Sequence, residues 1–182
     1  MPNQIHTLIE SCKKGNQLAQ MQVYDQYAKA MFTVACRYLD DIEEAKDAMQ
    51  EGFLKAFIHI DKYEPTATFG AWLKRIVINQ ALDTLKKRKL ELVDDTVDNL
   101  QVIDDDNWQF DSTITKADIL LAVESLKDKY KVVVKLYLIE GYDHEEISEI
   151  LNIPVKTSRT QLRRGKQKLR ELLNPHYNEA RY

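Results

Sequence analysis

Five glycines and four prolines are spread over 182 residues. A small all-β domain carries a turn signal about every 8–12 residues, so this scarcity argues against a sandwich or barrel and for long helices. Cysteine occurs twice, at Cys12 and Cys36, and four histidines are scattered along the chain. Neither set has the spacing of a metal site, and two cysteines build no disulfide framework; they read as reduced thiols of a cytosolic protein. No apolar run nears the roughly 18 residues of a membrane span. The N-terminus lacks a charged-then-apolar leader with a cleavage site. The expectation is a soluble, cytoplasmic chain. A phosphate-binding glycine loop, a nucleophile–base pairing and a metal set are all missing, which points away from an enzyme and from any cofactor or metal.

One absence is local. Residues 90–115, "LELVDDTVDNLQVIDDDNWQFDSTIT", contain eight Asp/Glu and not one Lys or Arg. No period of two or 3.6 persists there, so the segment reads as an irregular acidic linker. It also explains the overall charge: taking its −8 from the formal −3 leaves +5 on the rest. Its acids folding back on basic helices would weaken DNA binding by the free protein; a plain tether is the simpler expectation.

What is present is helical periodicity. Residues 4–60 place apolar side chains at steps of three and four, with Met21, Tyr24, Tyr27, Ala28, Met31, Phe32, Ala35 and Leu39 on one face. Gly15 and Asn16 break the run, and Asp41 with Glu44 has capping-box spacing. The next stripe is Ile42, Ala45, Ala48/Met49, Phe53, Ala56/Phe57 and Ile60. Pro65 and Gly70 mark a loop. A helix is expected over 71–89, with Leu73, Ile76, Val77, Ala81 and Leu85 inward and Trp72, Arg75, Asn79, Asp83 and Lys86 on another face. Asp83 has a possible local partner in Lys87 at i+4.

After the linker, apolar steps at Ile119, Leu120, Val123, Leu126, Val133, Val134, Leu136/Tyr137 and Leu138 resume the pattern, with a break predicted at the Ser125–Asp128 box and a stop at Gly141. Asp143 and Glu146 begin a short capped helix. Asn152 to Pro154 turn the chain, and a last helix runs from about Val155 to Leu173. The predicted fold is all-α: two small helical domains, 1–89 and 116–182, joined by the acidic linker 90–115.

A short helix, a three- or four-residue turn and a longer helix form a helix-turn-helix signature. Val155, Ser158, Leu162, Gly165, Leu169 and Leu172 would pack the second helix. Its other face carries Lys156, Arg159, Thr160, Arg163, Gln167 and Arg170, edged by Arg164 and Lys166, and seven Lys/Arg lie between Pro154 and Leu173 against one Glu. A charge run alone is more often a solvated face. The capped helix and turn before it favour a helix that reads duplex DNA, with Arg on guanine edges and the remaining cations on phosphates.

The first domain resembles a known family. An acidic residue, a Gln-Glu pair, an apolar helix, Phe-x-x-Trp-Leu, Ile, Asn, an Asp four later and a basic end stand here as Asp47, Gln50-Glu51, Phe53, Phe69-x-x-Trp72-Leu73, Ile76, Asn79, Asp83 and Arg88. This is similar to the core domain of bacterial RNA polymerase sigma factors of the sigma-70 family, extracytoplasmic-function (ECF) group. "EGYDHEEISEILNIPVKTSRTQLRRGKQKL" resembles that family's second domain. The departures are Pro154 where Ser is usual, Arg159-Thr160-Gln161-Leu162 in place of Lys-Ser-Arg-Leu, and Gly165 in place of a common Ala. They leave the base preference open.

The resemblance implies three partners: core RNA polymerase, promoter DNA and an anti-sigma factor. It implies polymerase docking through Asp47, Gln50 and Glu51. Contact with the −10 element as it melts is implied for Trp72, Arg75, Asn79, Asp83, Lys86, Lys87 and Arg88, with the loop Tyr63–Phe69 around a flipped base. Duplex −35 recognition is implied for Lys156, Thr157, Arg159, Thr160, Arg163 and Arg164. Trp72 is equally readable as a core residue, and Phe53 and Phe57 as core. The alternative to an initiation factor is a stand-alone helix-turn-helix regulator, and a further one is a protein-binding helical adaptor. The stand-alone regulator leaves the Asp47–Arg88 pattern unexplained.

Overall fold

The computed structural model describes residues 2–89 and 114–173. These form helices and connecting turns, with no strand among the described residues. The chain divides into two compact units, Met1–Asp95 and Thr96–Tyr182. Most of the acidic linker predicted over 90–115 lies outside the described residues.

The first unit contains α1 (Pro2–Lys13), α2 (Gln17–Ala35), α3 (Ile42–Ile58), a 3-10 turn (Ile60–Lys62) and α4 (Phe69–Lys89). Gly15, at φ +75, ends α1 in a conformation that costs glycine little. Asn16 then caps α2 by accepting from the Ala19 N–H at 3.1 Å. Asp41 caps α3 by accepting from the N–H groups of Glu43 (2.8 Å) and Glu44 (3.0 Å). Helix α4 starts two residues before the expected point, because Thr68 supplies the first turn: its carbonyl accepts from Ala71 and Trp72, and its Oγ1 from Ala71 at 3.3 Å.

The core of this unit follows the periodicity but is rotated from the predicted stripes. Met21 is 63% exposed, and the buried face of α2 runs through Ala19, Val23, Met31, Val34 and Ala35. Ile42 is exposed rather than buried. On α4 the buried residues are Leu73, Val77, Ile78, Ala81 and Leu82, while Ile76 and Leu85 are half-buried. A helix with apolar residues on more than one side leaves its inward direction undecided until its neighbours are placed. Phe53 is core as expected, and Phe57 is half-buried beside it at 6.1 Å between rings.

The second unit contains α5 (Lys116–Glu124), α6 (Asp128–Val134), which continues into a π-helical turn (Lys135–Ile139), α7 (His144–Leu151) and α8 (Val155–Leu173). A reciprocal capping box between Thr115 and Asp118 starts α5. The predicted Ser125–Asp128 box does not form. Ser125 is the C-cap of α5 and its hydroxyl donates to the Ala122 carbonyl at 2.8 Å, so α6 starts without a side-chain cap on Lys127. Lys135 is buried, and its ammonium meets the Glu124 carboxylate at 2.7 Å, the pairing that burial of a charge demands. Gly141, at φ +79, ends the π turn as expected. Ile119, Leu120, Leu138 and Leu172, assigned to the core from their spacing, are all exposed.

Candidate nucleic-acid interface

Helices α7 and α8 are held in a defined angle by local chemistry. Asp143 and Glu146 form the predicted reciprocal capping box at the start of α7. Asn152 ends α7 in the left-handed region at φ 53, which Asn tolerates better than most residues. Across the turn, the Ile153 N–H donates to the Ser148 carbonyl at 3.1 Å, and the Ser148 hydroxyl donates to the Ile153 carbonyl at 2.6 Å. The turn is thus bonded on both sides before α8 begins.

Helix α8 buries Ser158, Leu162, Gly165 and Leu169. Small side chains let it approach α6 closely: a Cβ added to Gly165 would lie 2.6 Å from Val134 Cγ2. Ser158 is fully buried, with its hydroxyl 2.9 Å from His144 Nδ1. The imidazole stacks on Tyr137 with ring centroids 4.9 Å apart. Burial pushes the His144 pKa below its ordinary value, and the Arg159 charge adds to this.

The outward face of α8 exposes Lys156, Arg159, Thr160 and Arg163, with Thr157 and Arg164 half-buried at its sides. Arg159 lies 3.5 Å from the Glu145 carboxylate, but both side chains are 64% exposed, so the pair is weak. The Thr160 hydroxyl donates to the Lys156 carbonyl at 2.9 Å. Its proton is used within the helix, leaving an oxygen acceptor and a methyl group facing outward.

In the first unit, Asn79, Asp83, Lys86 and Lys87 are exposed along α4, and Arg75 and Trp72 are half-buried on the same side. Asp83 meets Lys86 at 3.8 Å, at i+3 rather than with the Lys87 considered from sequence. Arg88 lies in α4, with its side chain outside the described residues. Trp72 is part of an aromatic cluster: its ring lies 5.5 Å from both Tyr63 and Phe69, while Phe69 also meets Tyr27 at 5.5 Å. The Tyr63 hydroxyl donates to the Ala67 carbonyl at 2.9 Å, pinning the 63–69 loop across its own base. Burial and the neighbouring Tyr63 raise the Tyr27 pKa. Tyr27 was read from sequence only as an apolar step in α2; no local signal ties it to a loop some 40 residues away.

On α3, Asp47, Gln50 and Glu51 share an exposed face. The same face continues with Leu54 and Ile58, which are 56% and 73% exposed. These two leucine-like residues were missed, because they fall outside the stripe that seals the core and a lone exposed aliphatic residue carries no signal by itself. A face of acids followed by uncovered aliphatics suits a protein partner.

Comparison with known proteins places both faces in one context. The sequence profile described as sigma-70 region 2 matches residues 23–91, and that described as sigma-70, region 4 matches residues 116–169. The ECF RNA polymerase sigma factor SigW of Bacillus subtilis is 32% identical over 95% of this chain and 98% of its own length. The chain belongs to the ECF group of the sigma-70 family. A second relative, the ECF sigma factor SigE of Mycolicibacterium smegmatis, is also 32% identical, over 85% of this chain and 62% of its own. The fold is shared with the sigma factor RpoE of Bartonella quintana, solved in complex with the anti-sigma factor NepR, at a TM-score of 0.57 and 22% identity over 84% of this chain and 95% of that one.

As an ECF sigma factor, the chain is a transcription initiation factor, and the α4 and α8 faces fall in its regions 2 and 4 respectively. Among the described residues no group of His, Cys, Asp and Glu is arranged to hold a metal. None of their helices is long and apolar enough to cross a membrane.

Proposed function

We propose that this ECF sigma factor docks on core RNA polymerase through the α3 face, reads the −35 element as duplex with α8, and captures the −10 element as it melts with α4 and the 63–69 loop. The observation that carries the reading is the outward face of α8. Lys156, Arg159, Thr160 and Arg163 are exposed together, behind a helix whose opposite side is anchored by Ser158, Leu162, Gly165 and Leu169. Such a face fits a major groove: Arg159 and Arg163 can each bind a guanine edge bidentately. Thr160, with its proton committed, would accept from an exocyclic amine or lie against a thymine methyl.

In region 2, Asn79 offers an amide to a base edge, and Arg75, Lys86 and Lys87 supply cations for backbone phosphates, with Arg88 next to them in sequence. Asp83 lies beside Lys86 in an exposed, weak ion pair. Trp72 acts through Tyr63 and Phe69, shaping the loop rather than serving as an open stacking platform. Asp47, Gln50 and Glu51 supply the charge of the polymerase contact, and Leu54 and Ile58 its apolar part. An anti-sigma factor completes the partner set, as a related sigma factor is solved with one. Cytoplasmic location follows from the polymerase partner.

Run-off transcription with core polymerase and genomic DNA, followed by start-site mapping, tests the reading. A single promoter motif is expected upstream of the mapped starts, and Arg163→Ala should relax preference at one −35 position. A chain that fails to bind core polymerase at all would sink it.

A further inference from the structure

Helices α6 and α8 enclose a concavity of about 270 Å³ at the edge of the basic face. Its wall combines Lys129 and Tyr130 from α6 with Lys156, Thr160 and Arg164 from α8, and none of the described residues lining it is acidic. Tyr130 is 1% exposed, so its ring is fixed by packing. The Lys129 ammonium lies 5.2 Å from that ring's centroid, a cation–π contact that restrains an otherwise mobile side chain. Arg164 Nε is buried and has no hydrogen-bond partner among the described residues. Three cations in one concavity suit a tetrahedral oxyanion.

We propose that this concavity seats one backbone phosphate of the promoter duplex beside the −35 element, held by Lys129 and Arg164. The two are then positioning residues that fix the register of α8 in the groove. Arg164 is thereby moved from the base-reading set to the backbone, and Lys129 is added from outside the recognition helix. Within "SLKDKYKVVV" its charge looks like ordinary helix-surface lysine, so its sequence position gives no hint of this role. The inference rests on the −35 reading above. Phosphate chemistry could also come from a free polyphosphate, which the test separates.

Holoenzyme made with the full-length chain is bound to promoter duplexes in which single phosphates around the −35 element are replaced by neutral methylphosphonates. Wild type is compared with Lys129→Gln, which keeps the aliphatic stem over Tyr130 and removes the charge. At one phosphate, neutralisation should weaken wild type several-fold and leave the variant unchanged. The slope of log affinity against log salt should fall by about 0.9 in the variant, the value of one lost phosphate contact on duplex DNA. Relative preference among −35 base variants should not move. Equal sensitivity of the two proteins at every phosphate, with equal salt slopes, overturns the proposal. So does a changed base preference with an unchanged slope. Calorimetric titration of the chain with inorganic pyrophosphate provides the other arm: saturable binding lost in Lys129→Gln, with unaltered methylphosphonate sensitivity, assigns the concavity to a free polyphosphate and overturns the DNA assignment. If wild-type holoenzyme shows no −35 preference at all, it is the underlying −35 reading that has failed.

Discussion

On the proposed reading each unit offers one long helix to DNA, and the two units seat it differently. In the first, α3 meets α4 at Gly52, where an added Cβ would lie 2.7 Å from Val77 Cγ2 and 3.2 Å from the Val77 Cα. In the second, α8 meets α6 at Gly165, where an added Cβ would meet Val134 Cγ2 at 2.6 Å but the nearest backbone atom, the Tyr130 carbonyl oxygen, only at 3.7 Å. Main chain fixes α4; a side chain fixes α8. The exposed faces differ in the same sense. Asn79, Asp83 and Lys86 on α4 mix an amide with both signs of charge, whereas the charges among Lys156, Arg159, Thr160 and Arg163 on α8 are all positive. A helix that lies along duplex phosphates gains from uniform positive charge. One that meets individual bases gains more from being held still.

The steric half of this contrast is the easiest to break. Gly52→Ala forces the α3 backbone away from α4 and should cost about 3 kcal/mol, the upper end of overpacking effects, read as a fall in the urea midpoint. It should also lower −10 melting without altering −35 base preference. The charge half comes next. Arg163→Ala should cost about 2 kcal/mol of promoter affinity, within the range for one specific base contact, and relax selection at a single −35 position. Asn79→Ala should reduce strand opening while leaving the salt dependence of binding unchanged, since it removes no charge. Gly165→Ala then sharpens the comparison, at an expected cost of about 1.5 kcal/mol. Only a methyl group must yield there, so Gly165→Ala with Val134→Ala should cost less than the sum of the two single changes.

This glycine also shows how far the sequence could be read. Its departure from the family's usual Ala was visible as a letter, but the reason is not, because Val134 lies some 30 residues away and meets it only after folding. Elements resting on local chemistry were legible in detail: the Asp143–Glu146 box, the stop at Gly141, the Asn152 turn and the span of α8. Periodicity found the helices but misjudged several inward directions, as at Met21, Ile42, Leu138 and Leu172, since an apolar step does not say which neighbour will cover it. The candidate site could be outlined from sequence where its residues share one helix face. It could not be where residues from separate elements converge, as Lys129 does with Arg164 and Tyr27 with Phe69. Asp143 lies on the legible side, and Asp143→Ala should lower stability by about 1 kcal/mol, the usual value of an N-cap, with base preference retained by the protein that remains folded.

The smallest expected effect concerns pH and separates the units again, because the ring that links α7 to α8 is a titratable one. His144 is held below its ordinary pKa, first by burial and then by the Arg159 cation, with Lys166 acting in the same direction and Asp143 and Glu145 opposing them. Tyr137 stacks on the ring, and the Ser158 hydroxyl bonds it. The folded state therefore favours neutral imidazole more than the unfolded state does. As pH falls through the ordinary histidine range, the unfolded chain takes up the proton first, so stability present above about pH 6.5 is progressively lost down to the folded-state pKa. Other groups titrate in acid too, so the informative quantity is a difference. His144→Gln keeps a polar partner for Ser158 but cannot ionise. Urea midpoints measured from neutral pH downward should fall more steeply for wild type than for the variant, and the gap between the two curves should open only below the ordinary histidine pKa. Parallel curves would mean that the His144–Ser158 link tolerates a charged ring, and that α8 is held by Leu162, Gly165 and Leu169 alone.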